Sequence, residues 1–165
     1  MRQFVTCSDI YGNEYEVPVD LLSWRPAAYA ILVRNNKILL VKERNSYHMP
    51  GGGVDLGEMP EEAVIREVKE ETGLGVTNPR LVGSLSTFFT LAHKRSLDEP
   101  SHVQSLLLYY LCDVRDSEVS LDGLEDDERD YGLMPEWVAI DTLDELPVGS
   151  TVDWRPIVKK ALKRS

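Results

Sequence analysis

Cysteine is scarce in this chain. Cys7 and Cys112 are the only two among 165 residues, too few and too far apart in sequence for a disulfide framework or a zinc site. Long apolar runs are missing as well. The longest, Ala27 to Val33, is far short of a membrane span, and the opening MRQFVTCSDIYGNE has no apolar signal-peptide core. The simple expectation is a cytoplasmic, reduced protein. Positive charge is in short supply too, with 18 Lys and Arg against 28 Asp and Glu for a formal net charge of −10. That argues against a sequence-blind affinity for nucleic acid or anionic membrane, so neither is expected as a partner. A small anionic substrate stays compatible, because metal ions and a few local cations can hold it. No internal repeat, low-complexity segment or linker is visible, and the length suits one domain with a single core. We expect that domain to span 1–165, with residues 1–23 as a hairpin extension of a core over 24–165.

What the chain does have is one organised acidic stretch, Gly52 to Leu74, reading GGVDLGEMPEEAVIREVKEETGL. Pro60 suits the first turn of a helix, where its missing N–H costs nothing, and Gly73 suits the residue just past the end. Glu61 and Glu62 fall where the macrodipole favours negative charge. Pro60 to Thr72 is therefore expected to be helical. On it Glu67, Glu70 and Glu71 stand at i, i+3 and i+4, gathered into an arc of about 100°. Val64, Val68 and Thr72 form an adjacent stripe, with Ile65 at its far side, that suits a core. Like charges at these spacings repel by about 0.2–0.5 kcal/mol per pair, so nothing local rewards the arrangement. A hard divalent cation does, since Mg²⁺ takes carboxylate oxygens. Three glutamates alone would also fit a solvated acidic face.

The spacing around them narrows the choice. Gly52 is followed by five residues, Glu58, seven residues, and then Arg66-Glu67-Val68-Lys69-Glu70-Glu71-Thr72-Gly73-Leu74. The pattern G-x5-E-x7-R-E-U-x-E-E-x-G-U, with U a bulky aliphatic, is met at all nine constrained positions. A chance match in a chain of this size is on the order of one in ten million at ordinary residue frequencies. This is the Nudix box, and the chain resembles the Nudix hydrolases.

The resemblance implies an α+β fold, the Nudix α/β/α sandwich with a mixed β-sheet, from about Trp24 onward. It also implies metal-dependent hydrolysis of a nucleoside diphosphate linked to another moiety, with Mg²⁺ as cofactor and Mn²⁺ as a substitute. By position in the box, Glu67, Glu70 and Glu71 are the metal ligands and Gly52 offers its backbone carbonyl. Glu67 is alternatively the group that activates water. Arg66 is expected to orient a glutamate, Glu67 first, although an ordinary exposed pair with Glu70 is the rival. Glu58 supports the same network or reaches metal through water. A further acid from the loop holding Asp122, Glu125, Asp126, Asp127 and Glu128 is a place where relatives often add one. The partner is a small-molecule nucleotide, and a homodimer is left open.

Substrate grip has to come from elsewhere. Arg25, Lys42, Arg44, His48, His93, Lys94 and Arg95 are phosphate candidates, while Phe88, Phe89, Tyr109 and Tyr110 are candidates to stack a base. His48 leads because it sits beside Gly51-Gly52-Gly53, a loop that brings backbone close to a ligand. His48, Arg44, Arg25 and Phe89 form the short set. Neither the proline that marks ADP-ribose hydrolases downstream of the box nor the tyrosine of diadenosine polyphosphate hydrolases occurs in Phe88-Phe89-Thr90-Leu91-Ala92. A nucleoside triphosphate, damaged ones included, is preferred by elimination, with ADP-ribose or a nucleotide sugar as the alternative. A nucleotide-binding sensor that has lost catalysis is the rival of another class, yet all the box acids are present.

The other elements follow from local patterns. Phe4 to Thr6 and Tyr15 to Val17 flank a turn at Tyr11-Gly12-Asn13, ended by Pro18. This piece is either a partner-facing edge or a lid on the core. Ala27 to Arg34 and Lys37 to Arg44 form a hairpin through Asn35-Asn36. Strands are expected over Leu81 to Phe89, His102 to Val114 and Glu136 to Ile140, with loops over Ala92 to Ser101 and Asp116 to Asp130. A helical turn at Asp141 to Leu146 precedes a final helix, capped by Ser150 or Thr151 and running to about Lys163. Its apolar face is Trp154, Ile157, Val158 and Leu162.

Overall fold

The computed structural model describes residues 2–9, 11–43, 46–91, 101–115, 134–149 and 151–163. At its centre β-branched and aliphatic residues build one strand with apolar side chains on both faces. This is β3 (Leu22–Arg34), preceded by β1 (Phe4–Ser8) and β2 (Glu14–Pro18). Asn35 and Asn36, with φ of 52° and 58°, turn the chain into β4 (Lys37–Glu43). Two consecutive left-handed residues are what a tight hairpin between right-twisted strands demands, and Asn tolerates them. Next come β5 (Ser46–His48), β6 (Gly51–Gly53) and helix α1 (Pro60–Thr72). The long strands β7 (Val76–Leu91) and β8 (Ser101–Val114) follow, then β9 (Met134–Ala139), a 3-10 turn over Ile140–Glu145, and α2 (Arg155–Leu162).

The strands order as β2-β1-β7-β8-β3-β4-β5, with β6 on β3 and β9 on β4. The sheet is mixed: β3 runs parallel to β8 from Leu22↔His102 to Leu32↔Cys112, and β7 runs antiparallel to β8. Alternation along β3 sorts the core into two layers. Ala28, Ala30 and Leu32 meet Ala63, Val64 and Val68 of α1, whereas Ala27 and Ile31 meet Trp154, Ile157 and Val158 around α2. Helices thus cover both faces, the expected α/β/α sandwich. No helix among the described residues is long and apolar enough to cross a membrane.

Helix α1 has the expected limits. Gly73 takes the left-handed conformation (φ 72°) and its N–H reaches Lys69 O, closing the helix as a C-terminal glycine does. The first-turn acids find partners beyond the dipole: Glu62 accepts from Met59 N–H at 2.9 Å and Glu61 from Tyr110 Oη at 3.1 Å.

Several expectations need correction. Ile65 is 37% exposed, because the buried stripe is completed by Ala63 and Glu71 on its other side. Gly51–Gly53 is a short strand paired to Ala27, Ala28 and Tyr29, where a loop was expected. The final helix begins at Arg155 without a Thr151 cap, because Trp154 ties its indole N–H to Tyr47 O at 2.8 Å and Asp153 accepts from Arg155 N–H. Ser150, Arg44, the 92–100 loop and the acidic loop lie outside the described residues.

Strand β7 enters with an irregularity between Thr77 and Arg80, where Asn78 has φ 50°. Asp113 of β8 closes it, accepting from Arg80 Nη2 at 2.7 Å and Asn78 Nδ2 at 2.9 Å. Those bonds hold its carboxyl at about 2. The native pKa is depressed, so the contribution to stability is present above the ordinary carboxylate range and is lost as pH falls through about 2. Arg80→Ala should return Asp113 towards its ordinary pKa of about 3.9, read by carboxyl-carbon NMR titration; an unmoved pKa would contradict this account. Leu39, fully buried between β4 and the α1 layer, should cost about 2–5 kcal/mol on truncation to Ala, read as a lower denaturant midpoint.

Candidate active site

The register of α1 against β3 and β6 grades its glutamates by burial. Glu71 is 5% exposed and accepts a hydrogen bond from Gly51 N–H at 2.9 Å. Glu67 is mostly buried, and Glu70 lies nearer the rim. The arc read from the spacing is therefore a descent from solvent to core.

Arg66 binds this arc together. Its Nε and Nη2 grip both oxygens of Glu58 at 2.9 Å each. Nη1 donates to Glu67 Oε1 and Glu70 Oε2, both at 3.0 Å, and Nη2 also reaches Gly53 O at 3.0 Å. All five guanidinium N–H donors are engaged, the full capacity of the group. The expected partner Glu67 and the rival partner Glu70 are both real. Glu58 in turn accepts from Asp55 N–H at 3.1 Å, which fixes the loop ahead of the helix. Hydrogen bonding to Arg66 holds the Glu58 carboxyl below its ordinary range, and the same contacts raise the guanidinium further above its own.

Strand β6 is a wall one backbone thick. A Cβ on Gly52 would stand 2.6 Å from the Glu67 carboxylate, while one on Gly53 would stand 3.0 Å from the Arg25 guanidinium. One side of the strand therefore faces the helix acids and the other faces Arg25. Only glycine permits both approaches.

Behind that wall opens a cleft of about 580 Å³. Arg25, His48, Phe89 and Tyr109 line it. Tyr29, stacked on Tyr109 with ring centroids 5.7 Å apart, lines it too. Burial raises the Tyr29 phenol, and the charges of Glu71 and Glu67 push the same way while Arg25 opposes them, so the phenol feels both sides of the wall. His48 sits with Nδ1 3.1 Å from Met49 O, and desolvation lowers its pKa against the opposing pull of that bond and of Glu43.

Other candidates point elsewhere. Tyr110 has the opposite parity to Tyr109 and packs against the α1 layer. Phe88 faces away from Phe89 and is not in the lining, and Lys42 lies over the Tyr47 ring at 5.9 Å. Arg44, His93, Lys94 and Arg95 fall outside the described residues. Among the described residues no three acidic, histidine or cysteine side chains converge on one point as metal ligands do; Glu67 and Glu70 are turned to Arg66.

The NUDIX domain family model matches residues 24–158. The chain belongs to the Nudix family. An ADP-ribose pyrophosphatase of Methanocaldococcus jannaschii is 37% identical over 94 residues, 48% of this chain and 56% of that protein. An RNA pyrophosphohydrolase of a Marinomonas species is 30% identical over 155 residues, 88% of this chain and 92% of the relative. An NAD-capped RNA hydrolase of Klebsiella pneumoniae is 33% identical over 136 residues, 80% of this chain but 46% of its own length. The chain thus spans about half the length of several curated relatives, the first and third of these included. The MutT Nudix hydrolase structure from Burkholderia pseudomallei superposes with a TM-score of 0.58 at 25% identity, covering 84% of this chain and 98% of that one.

The Nudix box therefore forms a connected unit here, with Arg66 as its hub. Tyr29, Tyr47, Trp154 and Tyr11 also line the cleft, beyond the residues expected there. Alternation with Arg25 and Ala27 along β3 could have found Tyr29; nothing in the sequence foretold the other three. Arg66→Ala should raise the Glu58 pKa towards that of a free glutamate, followed by carboxyl-carbon NMR. A Glu58 titration unchanged by the substitution would remove Arg66 as the cause.

Proposed function

We propose that this Nudix protein hydrolyses a pyrophosphate bond of a nucleoside diphosphate linked to another moiety, with Mg²⁺ as cofactor. The observation that carries this reading is the glycine wall. It leaves one backbone thickness between the box glutamates and a cleft large enough for a nucleotide. Arg25 is the sole Arg or Lys lining that cleft among the described residues, so phosphate charge needs neutralising from the glutamate side.

The donor set suits a hard cation, being carboxylates and a backbone carbonyl, and the Cβ space at Gly52 is taken by the Glu67 carboxylate itself. Glu67, Glu70, Glu71 and the Gly52 carbonyl are the residues that would hold it. When bound, the ion supplies neutralisation of phosphate oxygens and a more acidic water. Arg66 engages one oxygen of Glu67 and one of Glu70, and so sets their rotamers without consuming them. Glu58 anchors Arg66 from the loop side. Glu67, against the Gly52 backbone, is alternatively the proton acceptor for the attacking water in place of a ligand. Arg25 steadies a phosphate, His48 offers a neutral imidazole hydrogen bond to the same end, and Phe89 supplies an aromatic wall.

For substrate, a nucleoside triphosphate yielding the monophosphate and pyrophosphate is the first class to test. ADP-ribose, named for the Methanocaldococcus relative, is the second. A product-resolved panel with Mg²⁺ covering ordinary and oxidised triphosphates, ADP-ribose, diadenosine polyphosphates and nucleotide sugars decides between them. Release of a nucleoside monophosphate from one class names it; silence with nucleotide still bound would favour a sensor. Glu70→Gln and Glu71→Gln should each lower Mg²⁺-dependent turnover by at least about a hundredfold with the fold retained by circular dichroism. Near-wild-type turnover in both would sink the ligand assignment.

A further inference from the structure

The family match begins at residue 24, yet one residue ahead of it reaches the cleft. Tyr11 stands in the turn between β1 and β2, 64% exposed, and lines the cleft with Phe89 and Leu91. The sheet puts it there. β1 pairs in parallel with β7 at Ser8↔Phe89, so the chain leaving β1 continues towards the Leu91 end of β7. Phe89, Leu91 and Thr87 present the same face of β7 to the cleft.

The turn that carries Tyr11 is well fixed. Asp9, 1% exposed, accepts from Tyr11 N–H at 2.8 Å, Asn13 N–H at 2.9 Å, Asn13 Nδ2 at 2.8 Å and Tyr15 Oη at 3.1 Å. Backbone bonds from Asp9 N–H to Asn13 O and from Gly12 N–H to Asp9 O close it further. A buried carboxylate with this many donors holds one backbone geometry. The tyrosine therefore springs from backbone tied to Asp9 at Tyr11 and Asn13.

The cleft has two chemically different ends. Arg25 and the glycine wall lie at the β3–β6 side. Tyr11, Phe89 and Leu91 lie at the β7 side, two strand spacings or about 10 Å from β3 and three or about 14 Å from β6. That separation suits a ligand with phosphates at one end and a flat apolar group at the other. We propose that Tyr11 and Phe89 clamp the base of the nucleoside, making the N-terminal hairpin a substrate-specificity element of the domain. This deepens the nucleotide reading given above and rests on it.

The test compares two ligands that differ by the base. Binding of AMP and of ribose 5-phosphate to the full-length protein in Mg²⁺ buffer is measured by calorimetry for wild type, Tyr11→Ala and Tyr11→Phe. Loss of a stacked base costs about tenfold or more in affinity. Tyr11→Ala should therefore weaken AMP about tenfold, leave ribose 5-phosphate within twofold, and be rescued by Tyr11→Phe. An unchanged AMP affinity, an equal loss for both ligands, or a wild type that prefers AMP no more than ribose 5-phosphate would each overturn the clamp. Silence of the hydrolysis panel alongside the expected binding pattern would strike the catalytic reading and leave the clamp standing.

Discussion

Electrostatic repulsion among clustered carboxylates is the constraint on which this structure turns. Glu67, Glu70 and Glu71 share one helical arc with Glu58 close by, and like charges at these spacings repel. Arg66 resolves the conflict with a single guanidinium whose five donors reach three of the four acids and one glycine carbonyl. Gly51 N–H serves the fourth. A lysine cannot take this place, because its point charge lacks the fixed fork that grips Glu58 while serving Glu67 and Glu70. The loop ahead of α1, the helix and β6 are joined through that one side chain.

The fold supports the cluster from both sides. The buried stripe of α1 locks the helix to β3 through Ala28, Ala30 and Leu32, and β6 borrows its backbone order from the same strand. Sites on paired strands and packed helices hold their geometry better than sites on loops, and here every box acid except Glu58 sits on such an element. The cleft, in contrast, is enclosed by pieces from distant parts of the chain. The Trp154–Tyr47 bond brings the start of α2 to β5, and Thr87 Oγ1 reaches Thr151 O at 3.3 Å.

What the sequence made legible follows the same division. Helix α1 was readable to its end residues because Pro60 and Gly73 act locally, and the Asn35-Asn36 hairpin because its turn chemistry is local as well. The ligating candidates were readable because a contiguous motif carried them. The cleft was not. Tyr109 and Tyr110 are neighbours with the same chemistry, and only the sheet's parity decides which one faces the cleft. Tyr47, Trp154 and Tyr11 come from three segments brought together by tertiary pairing alone, which leaves no local trace. The late start of α2 has the same cause, since a long-range indole hydrogen bond overrides the local cap.

The glycine strand has an evolutionary corollary. Because β6 separates the acids from the cleft by one backbone, the box acids and the cleft lining occupy opposite sides of a partition and share no side chains among the described residues. Substitutions at the far wall, on β7, the N-terminal turn or the segment before α2, can accumulate without disturbing the arginine hub. A lineage could change the cleft lining while the box stays fixed, and divergence should concentrate on that wall. The three glycines, pressed from both sides, are where such drift has no room.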